Sequence, residues 1–174
     1  DINSYDYAII AVGAHNMDMP IPHDNSNIVS SWDVLNGQEV TGDCVVIGGG
    51  LVGAETAEYL ANKGHQVTIV EMMDKIAAGE STTVLPLMMK DFADHNVKQL
   101  VNTKVDHIEN NIVYTANDQI KADTIINALG SKKNIFDDSS ITIPHVYVGD
   151  CSGERTADIA SAIRTAYHAA NAID

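Results

Sequence analysis

Three stretches of this sequence are apolar almost without a break: Tyr7-Ala8-Ile9-Ile10-Ala11-Val12, Cys44-Val45-Val46-Ile47 and Val67-Thr68-Ile69-Val70. Runs of this length, without alternation of polar and apolar positions, predict strands covered on both faces, as in a parallel sheet. The first stops at Gly13, the second runs into Gly48, and the third ends in Glu71. Ala122–Ala128 predicts a further buried strand ending at Gly130, much as the first ends at Gly13. Val97–Thr103 and Val146-Tyr147-Val148 predict shorter strands, the latter closed by Gly149-Asp150.

Between the strands the period changes. Ala54, Ala57, Leu60 and Ala61 recur at helical spacing, and Gly64 stands where a helix ends, which predicts a helix over 54–63. Residues 81–96 predict a second helix, with Ser81 or Thr82 as N-cap, Pro86 in the first turn and Leu85, Met88, Met89 and Phe92 as its buried stripe. The alanine-rich segment from Thr156 to Ile173 predicts a closing helix, and Ser30–Leu35 one short helical turn. Lys104–Glu109 and Ile112–Thr115 alternate about Asn110-Asn111, which predicts a hairpin. Residues 16–27 carry Pro20, Pro22 and several Asn and Asp, and read as a loop that links structural units. Strand, glycine turn, helix and strand within about thirty residues make one βαβ unit. The fold class is therefore α/β, with a parallel sheet and a hairpin or meander.

Composition narrows the function. With 174 residues, 45% hydrophobic and 20% charged, the chain fits one domain, or one domain and part of another. The net charge of −14 opposes binding to nucleic acid and to anionic membrane surfaces. No apolar run approaches the roughly 18 residues that span a bilayer, and no basic-then-apolar stretch opens the sequence given, so neither a membrane segment nor a secretory signal is expected. Opening on Asp1 rather than Met is expected of a piece of something longer. The two cysteines, Cys44 and Cys151, form no CxxC, so neither a disulfide framework nor a dithiol redox site is expected, and the cytoplasm is the expected setting. The seven histidines show no HxH or HExxH spacing, so no metal site is expected. Met72-Met73 and Met88-Met89 read as core filler.

The chemistry concentrates at Gly48-Gly49-Gly50-Leu51-Val52-Gly53. This Gly-x-Gly-x-x-Gly follows a predicted strand and opens a predicted helix. Glu71 closes the next strand about 18 residues later, near the ~20-residue spacing of a dinucleotide fingerprint. In that reading Gly48 makes the tight turn, Gly50 admits the pyrophosphate and Gly53 lets helix and strand approach. The phosphates meet free N–H groups and the positive end of the helix dipole. Glu71 would accept both hydroxyls of an adenosine ribose and repel a 2′-phosphate, which favours NADH over NADPH. Lys75 is the one cation in the stretch that follows it. The bland alternative for Glu71 is a solvated acidic strand end, and for Asp150 a turn residue.

These residues resemble the pyridine-nucleotide domain of the two-dinucleotide-binding flavoproteins. Asp6–Ala14, Ile125–Gly130 and Val146–Asp150 are similar to that superfamily's flanking motifs. Ser30–Leu35 and the ending Arg155, Ala162-Ile163-Arg164 and Ala169-Ala170 look closest to the C-terminal FAD/NAD(P)-binding region of NADH:flavin oxidoreductases of the 2-enoate and 2,4-dienoyl-CoA reductase type. The resemblance implies NADH at Gly48 to Gly53 and Glu71, its nicotinamide side near Gly130 and Glu55, and FAD facing Gly13 and Asp150. It implies no catalytic acid, base or nucleophile from this chain, since hydride transfer is the cofactors' own chemistry.

The family's FMN barrel, iron–sulfur cysteines, N-terminal FAD fingerprint and disulfide-reductase dithiol have no counterpart here. FMN and the cluster are thus expected only outside this chain, with the remaining domains of a parent polypeptide as partners, and the piece alone is expected to be inactive. The expected layout is an NAD(P)-binding domain over 38–131, with 1–37 and 132–174 as remnants of a discontinuous FAD-binding domain. Alternatives are a truncated NADH oxidase or ferredoxin-reductase-type flavoenzyme, and a non-catalytic dinucleotide-binding module.

Overall fold

A computed structural model describes residues 1–79, 81–153 and 159–173. In chain order the strands are β1 (Ala8–Ile10), β2 (Ala14–Asn16), β3 (Ile28–Ser30), β4 (Cys44–Ile47), β5 (Val67–Val70), β6 (Lys98–Leu100), β7 (Val105–Glu109), β8 (Ile112–Thr115), β9 (Gln119–Lys121), β10 (Thr124–Asn127), β11 (Ser131–Lys133) and β12 (His145–Tyr147). The helices are α1 (Ser31–Leu35), α2 (Leu51–Asn62), α3 (Leu85–Asp94) and α4 (Ile159–Asn171). Residues Asn16–Gly130 form one compact unit, and Asp1–His15 with Ser131–Asp174 form another.

The central unit is built on a five-stranded sheet in the order β3-β10-β4-β5-β6, and every pairing in it is parallel. Such a sheet is covered on both faces, so its inner strands have no solvated side. All four residues of β4 and all four of β10 are buried. On one face Val46, Ile69 and Ile126 pack with Ala54, Ala57 and Leu60 of α2 and Met88 and Phe92 of α3. On the other, Val45, Ile47 and Ile125 pack with Val105, Ile108 and Val113 of the antiparallel β7-β8-β9 meander.

Most boundaries follow the sequence pattern, and the exceptions have local causes. Helix α2 starts at Leu51, three residues before its apolar stripe, because Leu51 and Val52 face solvent while Gly53 and Ala54 are buried. Helix α3 starts at Leu85 rather than near Ser81. There the Ser81 carbonyl accepts from Leu85 N–H at 3.0 Å and its Oγ from Val84 N–H at 3.2 Å, closing a turn ahead of the helix. Pro86 fits the first turn of α3, where no N–H is needed. The hairpin turn is as expected. Asn110 and Asn111 have φ of 53° and 59°, the left-handed pair of a type I′ turn, and donate their N–H groups to Asp24 Oδ2 and Ser26 Oγ.

Four strands escape the pattern: β3 and β9, and the short β2 and β11. Residues 16–37, expected to lie outside the nucleotide-binding domain, belong to the central unit, and β3 is an edge strand of its sheet. Only Ile28 and Val29 mark it in the sequence, and its pairing comes from Ile125 and Ile126. Strand β9 extends the hairpin into a meander through Val113↔Ile120.

The flanking unit has two small ribbons, β1 parallel to β12 and β2 with β11. Asn134 ties this unit's chain segments, donating from its side chain to the Val12 carbonyl at 2.7 Å and from its backbone to the Gly13 carbonyl at 2.9 Å. Gly149 N–H donates to Thr165 Oγ1 of α4 at 2.8 Å. Asp138 Oδ2 accepts from Tyr147 Oη at 2.7 Å and lies 3.1 Å from His145 Nε2. Those bonds hold the Asp138 carboxyl below its ordinary pKa and push the Tyr147 phenol up to about 12. Arg155 and the expected helix start at Thr156 lie outside the described residues, and the described part of α4 is Ile159–Asn171. Among the described residues no helix is long and apolar enough to cross a membrane.

Candidate dinucleotide site

The parallel strands of the central unit bring their carboxyl ends to one edge, where a ligand crevice is expected in α/β sheets. A cavity of about 480 Å³ opens there. Its floor is the end of β4, with Gly48 and Gly50. One wall carries Glu71 and the residues after β5, and the other carries Ala128, Leu129 and Gly130 after β10.

The glycines have separate reasons. Gly48 has φ of +102°, and a Cβ there would lie 2.5 Å from the Ala128 carbonyl oxygen. A Cβ at Gly53 would overlap the Gly48 carbonyl oxygen, so this glycine sets how closely α2 meets the loop. A Cβ at Gly49 would lie 2.5 Å from Ile76 Cδ1. Gly50 differs from all three. Its φ of −65° is open to any residue, and a Cβ there would meet nothing within 4 Å. Neither strain nor packing asks for glycine at position 50, so the free space over its backbone fits a ligand. Gly50 also caps the twelve-residue α2 without a side-chain hydrogen bond. The first N–H groups of a helix have no partner within it, and they favour an anion. A pyrophosphate therefore fits this cradle.

Glu71 is 9% exposed, which excludes a solvated strand end. Its Oε2 accepts Gly49 N–H at 2.6 Å and its Oε1 accepts Met73 N–H at 2.7 Å. One carboxylate thus fixes both the glycine loop and the turn after β5, and each oxygen keeps a further acceptor site for a hydroxyl. Leu51 and Val52 contribute backbone at the helix start while their side chains stay exposed. Gly130 lines the cavity, whereas Glu55 is exposed on α2 and does not. Gly13 and Asp150 belong to the flanking unit, Asp150 half-buried in the single turn Gly149–Cys151.

The sequence reading missed several walls of the cavity. Met72 and Met73 are not core filler: they are 67% and 58% exposed and line the opening, whereas Met88 is buried as expected. Thr103 and Lys104 also line it, and the sign of this in the sequence is that they stand at the end of the predicted strand over 97–103. Lys75 is not among the lining residues. Cys44 is buried, and burial lifts its thiol to about 11. Among the described residues no group of three or more His, Cys, Asp and Glu is gathered to hold a metal.

Comparison with known proteins adds to this geometry. Residues 2–172 match the family model described as pyridine nucleotide-disulphide oxidoreductase. The chain belongs to that family. Its Rossmann-like fold is thus that of an oxidoreductase family of flavoproteins. The bilirubin reductase of Mediterraneibacter gnavus (strain CC55_001C) is 44% identical over 181 residues, covering 97% of this chain and 28% of that protein. The NADH oxidase of Thermoanaerobacter brockii is 48% identical over 80 residues, covering 42% of this chain and 12% of that protein.

Among solved structures, the complex of 2-naphthoyl-CoA reductase with 2-naphthoyl-CoA aligns with a TM-score of 0.79 and 28% identity, over 93% of this chain and 26% of that one. Histamine dehydrogenase from Rhizobium sp. 4-9 shares the fold, with a TM-score of 0.84 at 18% identity, over 99% of this chain and 31% of that one. These similarities agree with the resemblance to the C-terminal region of 2-enoate and 2,4-dienoyl-CoA reductase-type proteins. The chain spans between about an eighth and a third of the length of these four proteins.

Proposed function

We propose that the central unit docks NADH as the nucleotide-binding module of a longer flavin-dependent oxidoreductase of the 2-enoate and 2,4-dienoyl-CoA reductase type. The observation that carries this is the open space over Gly50 at the start of α2, which no side chain caps, one strand away from Glu71. NADH, when bound, supplies a hydride, and FAD in the complete protein takes it up. The chain's own residues bind and orient. Backbone N–H groups from Gly50 onward hold the pyrophosphate, Glu71 accepts from the adenosine ribose, and Leu129 and Gly130 flank the nicotinamide half.

The Glu71 carboxylate also disfavours a 2′-phosphate, which selects NADH over NADPH. Gly13 and Asp150 are assigned to FAD, held together with the rest of the parent protein. Both cysteines are free and buried, which supports a reducing, cytoplasmic setting. Parallel calorimetric titrations with NADH and NADPH at low salt test the reading. Saturable NADH binding with NADPH at least about tenfold weaker is the expected result. Glu71→Arg should narrow or reverse that ratio. An unchanged ratio would take the selecting role from Glu71, and binding of neither nucleotide would overturn the docking assignment.

A further inference from the structure

The exposed methionine pair at the mouth of the cavity serves neither the core nor the glycine loop. We propose that Met72 and Met73 are a peroxide-modification site whose oxidation weakens docking of the dinucleotide. The proposal rests on the NADH-docking reading above.

Sheet order supplies the geometry. β4, β5 and β6 are neighbours and parallel, so the ends carrying Gly50, Glu71 and Thr103 succeed one another along one edge. A dinucleotide with its pyrophosphate at Gly50 and its ribose at Glu71 must send its adenine onward, over the residues that follow Glu71 and toward Thr103. Met72 and Met73 occupy that place. Their backbone is fixed there: Met73 N–H donates to Glu71 Oε1 at 2.7 Å, and the Met73 carbonyl accepts from Asn102 N–H at 2.8 Å. Two thioethers held at an apolar opening offer a polarizable face to an aromatic base.

The same exposure opens them to chemistry. Hydrogen peroxide transfers one oxygen to the thioether sulfur. The O–O bond breaks, a sulfur lone pair forms the new S–O bond, the sulfur is oxidised to a sulfoxide, and the peroxide leaves as water. No proton need be removed from the side chain first, so the reaction does not wait on a pKa. The thiols compete poorly, since Cys44 and Cys151 are both buried and the Cys44 thiol is held protonated far above neutrality. Met88, at 2% exposure, is shielded in the core. A sulfoxide at the lip replaces an apolar face with a strong dipole beside the adenine.

The test is a titration of the full chain with NADH before and after mild hydrogen peroxide, with peptide mass spectrometry to locate the added oxygen. Oxygen should appear at Met72 and Met73 before Met88, and NADH affinity should fall roughly three- to tenfold, the scale of a lost sulfur–aromatic contact. In the double variant Met72→Leu, Met73→Leu, the ratio of affinities before and after peroxide should stay near one. Methionine sulfoxide reductase should restore the affinity of the oxidised unsubstituted protein. An equal loss in the double variant, or unchanged affinity with both sulfurs oxidised, would overturn the proposal while leaving the docking reading intact. Untreated protein that binds no NADH would overturn both.

Discussion

The two units of this chain solve the problem of burial unequally. The central unit covers a five-stranded parallel sheet on both faces, with Phe92, Leu60, Ile69, Ile108, Ile125 and Ile126 fully buried. The flanking unit, among its described residues, buries Ala8, Ile10, Val148, Cys151 and Ala169. Its helix α4 leaves Ile159, Ile163 and Tyr167 exposed, spaced four residues apart on one face. Two-stranded ribbons need further strands or a packed face for independent stability. The central unit owns a core, while the flanking unit has the parts of one.

Truncation experiments separate the two most sharply. Ile126→Ala removes a fully buried side chain and should cost about 2 to 5 kcal/mol in denaturant unfolding followed by far-ultraviolet dichroism. Ile163→Ala, 63% exposed, should change stability by less than about 0.5 kcal/mol. Similar losses at both sites would mean that the α4 face is covered in solution.

Within the central unit a second pair of substitutions divides structure from ligand space. Gly53→Ala drives a Cβ into the Gly48 carbonyl and should destabilise the fold by about 1 to 3 kcal/mol. Gly50→Ala meets open space at an ordinary φ and should leave the melting temperature nearly unchanged, yet weaken NADH binding about tenfold or more. Equal NADH affinity in Gly50→Ala would remove the pyrophosphate from this cradle.

The smallest effects concern pH, and their signs are opposite in the two units. Burial, then the neighbouring Asp91, raises the Glu58 carboxyl above its ordinary 4.5. The folded state then holds the proton more tightly, so its contribution is present at acid pH and lost as pH rises through the raised value. Asp138 is held below its ordinary 3.8 by Tyr147 and His145, so its contribution is present above that value and lost as pH falls. Glu58→Gln should raise the melting temperature slightly at neutral pH and not in acid. Asp138→Asn should speed hydrogen exchange around β12 at neutral pH, and by progressively less as the pH falls below 3.8.

Much of this was readable where the information is local. The unit β4–α2–β5 is one continuous pattern of buried strand, glycine turn, helix and strand, and Gly48, Gly50, Gly53 and Glu71 all meet at its edge. The meander's turn announced itself through Asn110-Asn111, two residues that tolerate left-handed backbone. Short strands hid themselves, since Ile28–Ser30 becomes a strand only because Thr124–Asn127 lies beside it. The methionines hid for another reason. A Met-Met pair looks the same inside a core or on a rim, and only the turn after β5, pinned by Glu71, decides which.

The parallel order of the central sheet also has a consequence for synthesis. β4 lies between β5 and β10, so one of its edges has no partner until Thr124–Asn127 is made, about eighty residues later. At typical elongation rates of about 5 to 20 residues per second, the apolar Cys44–Ile47 waits some 4 to 16 s with that edge bare. β3 waits longer, since its partner among the described residues is the same late strand. The nascent chain thus carries a sticky half-sheet for seconds, and the β4 edge is where a chaperone would be most needed and where aggregation during expression would begin.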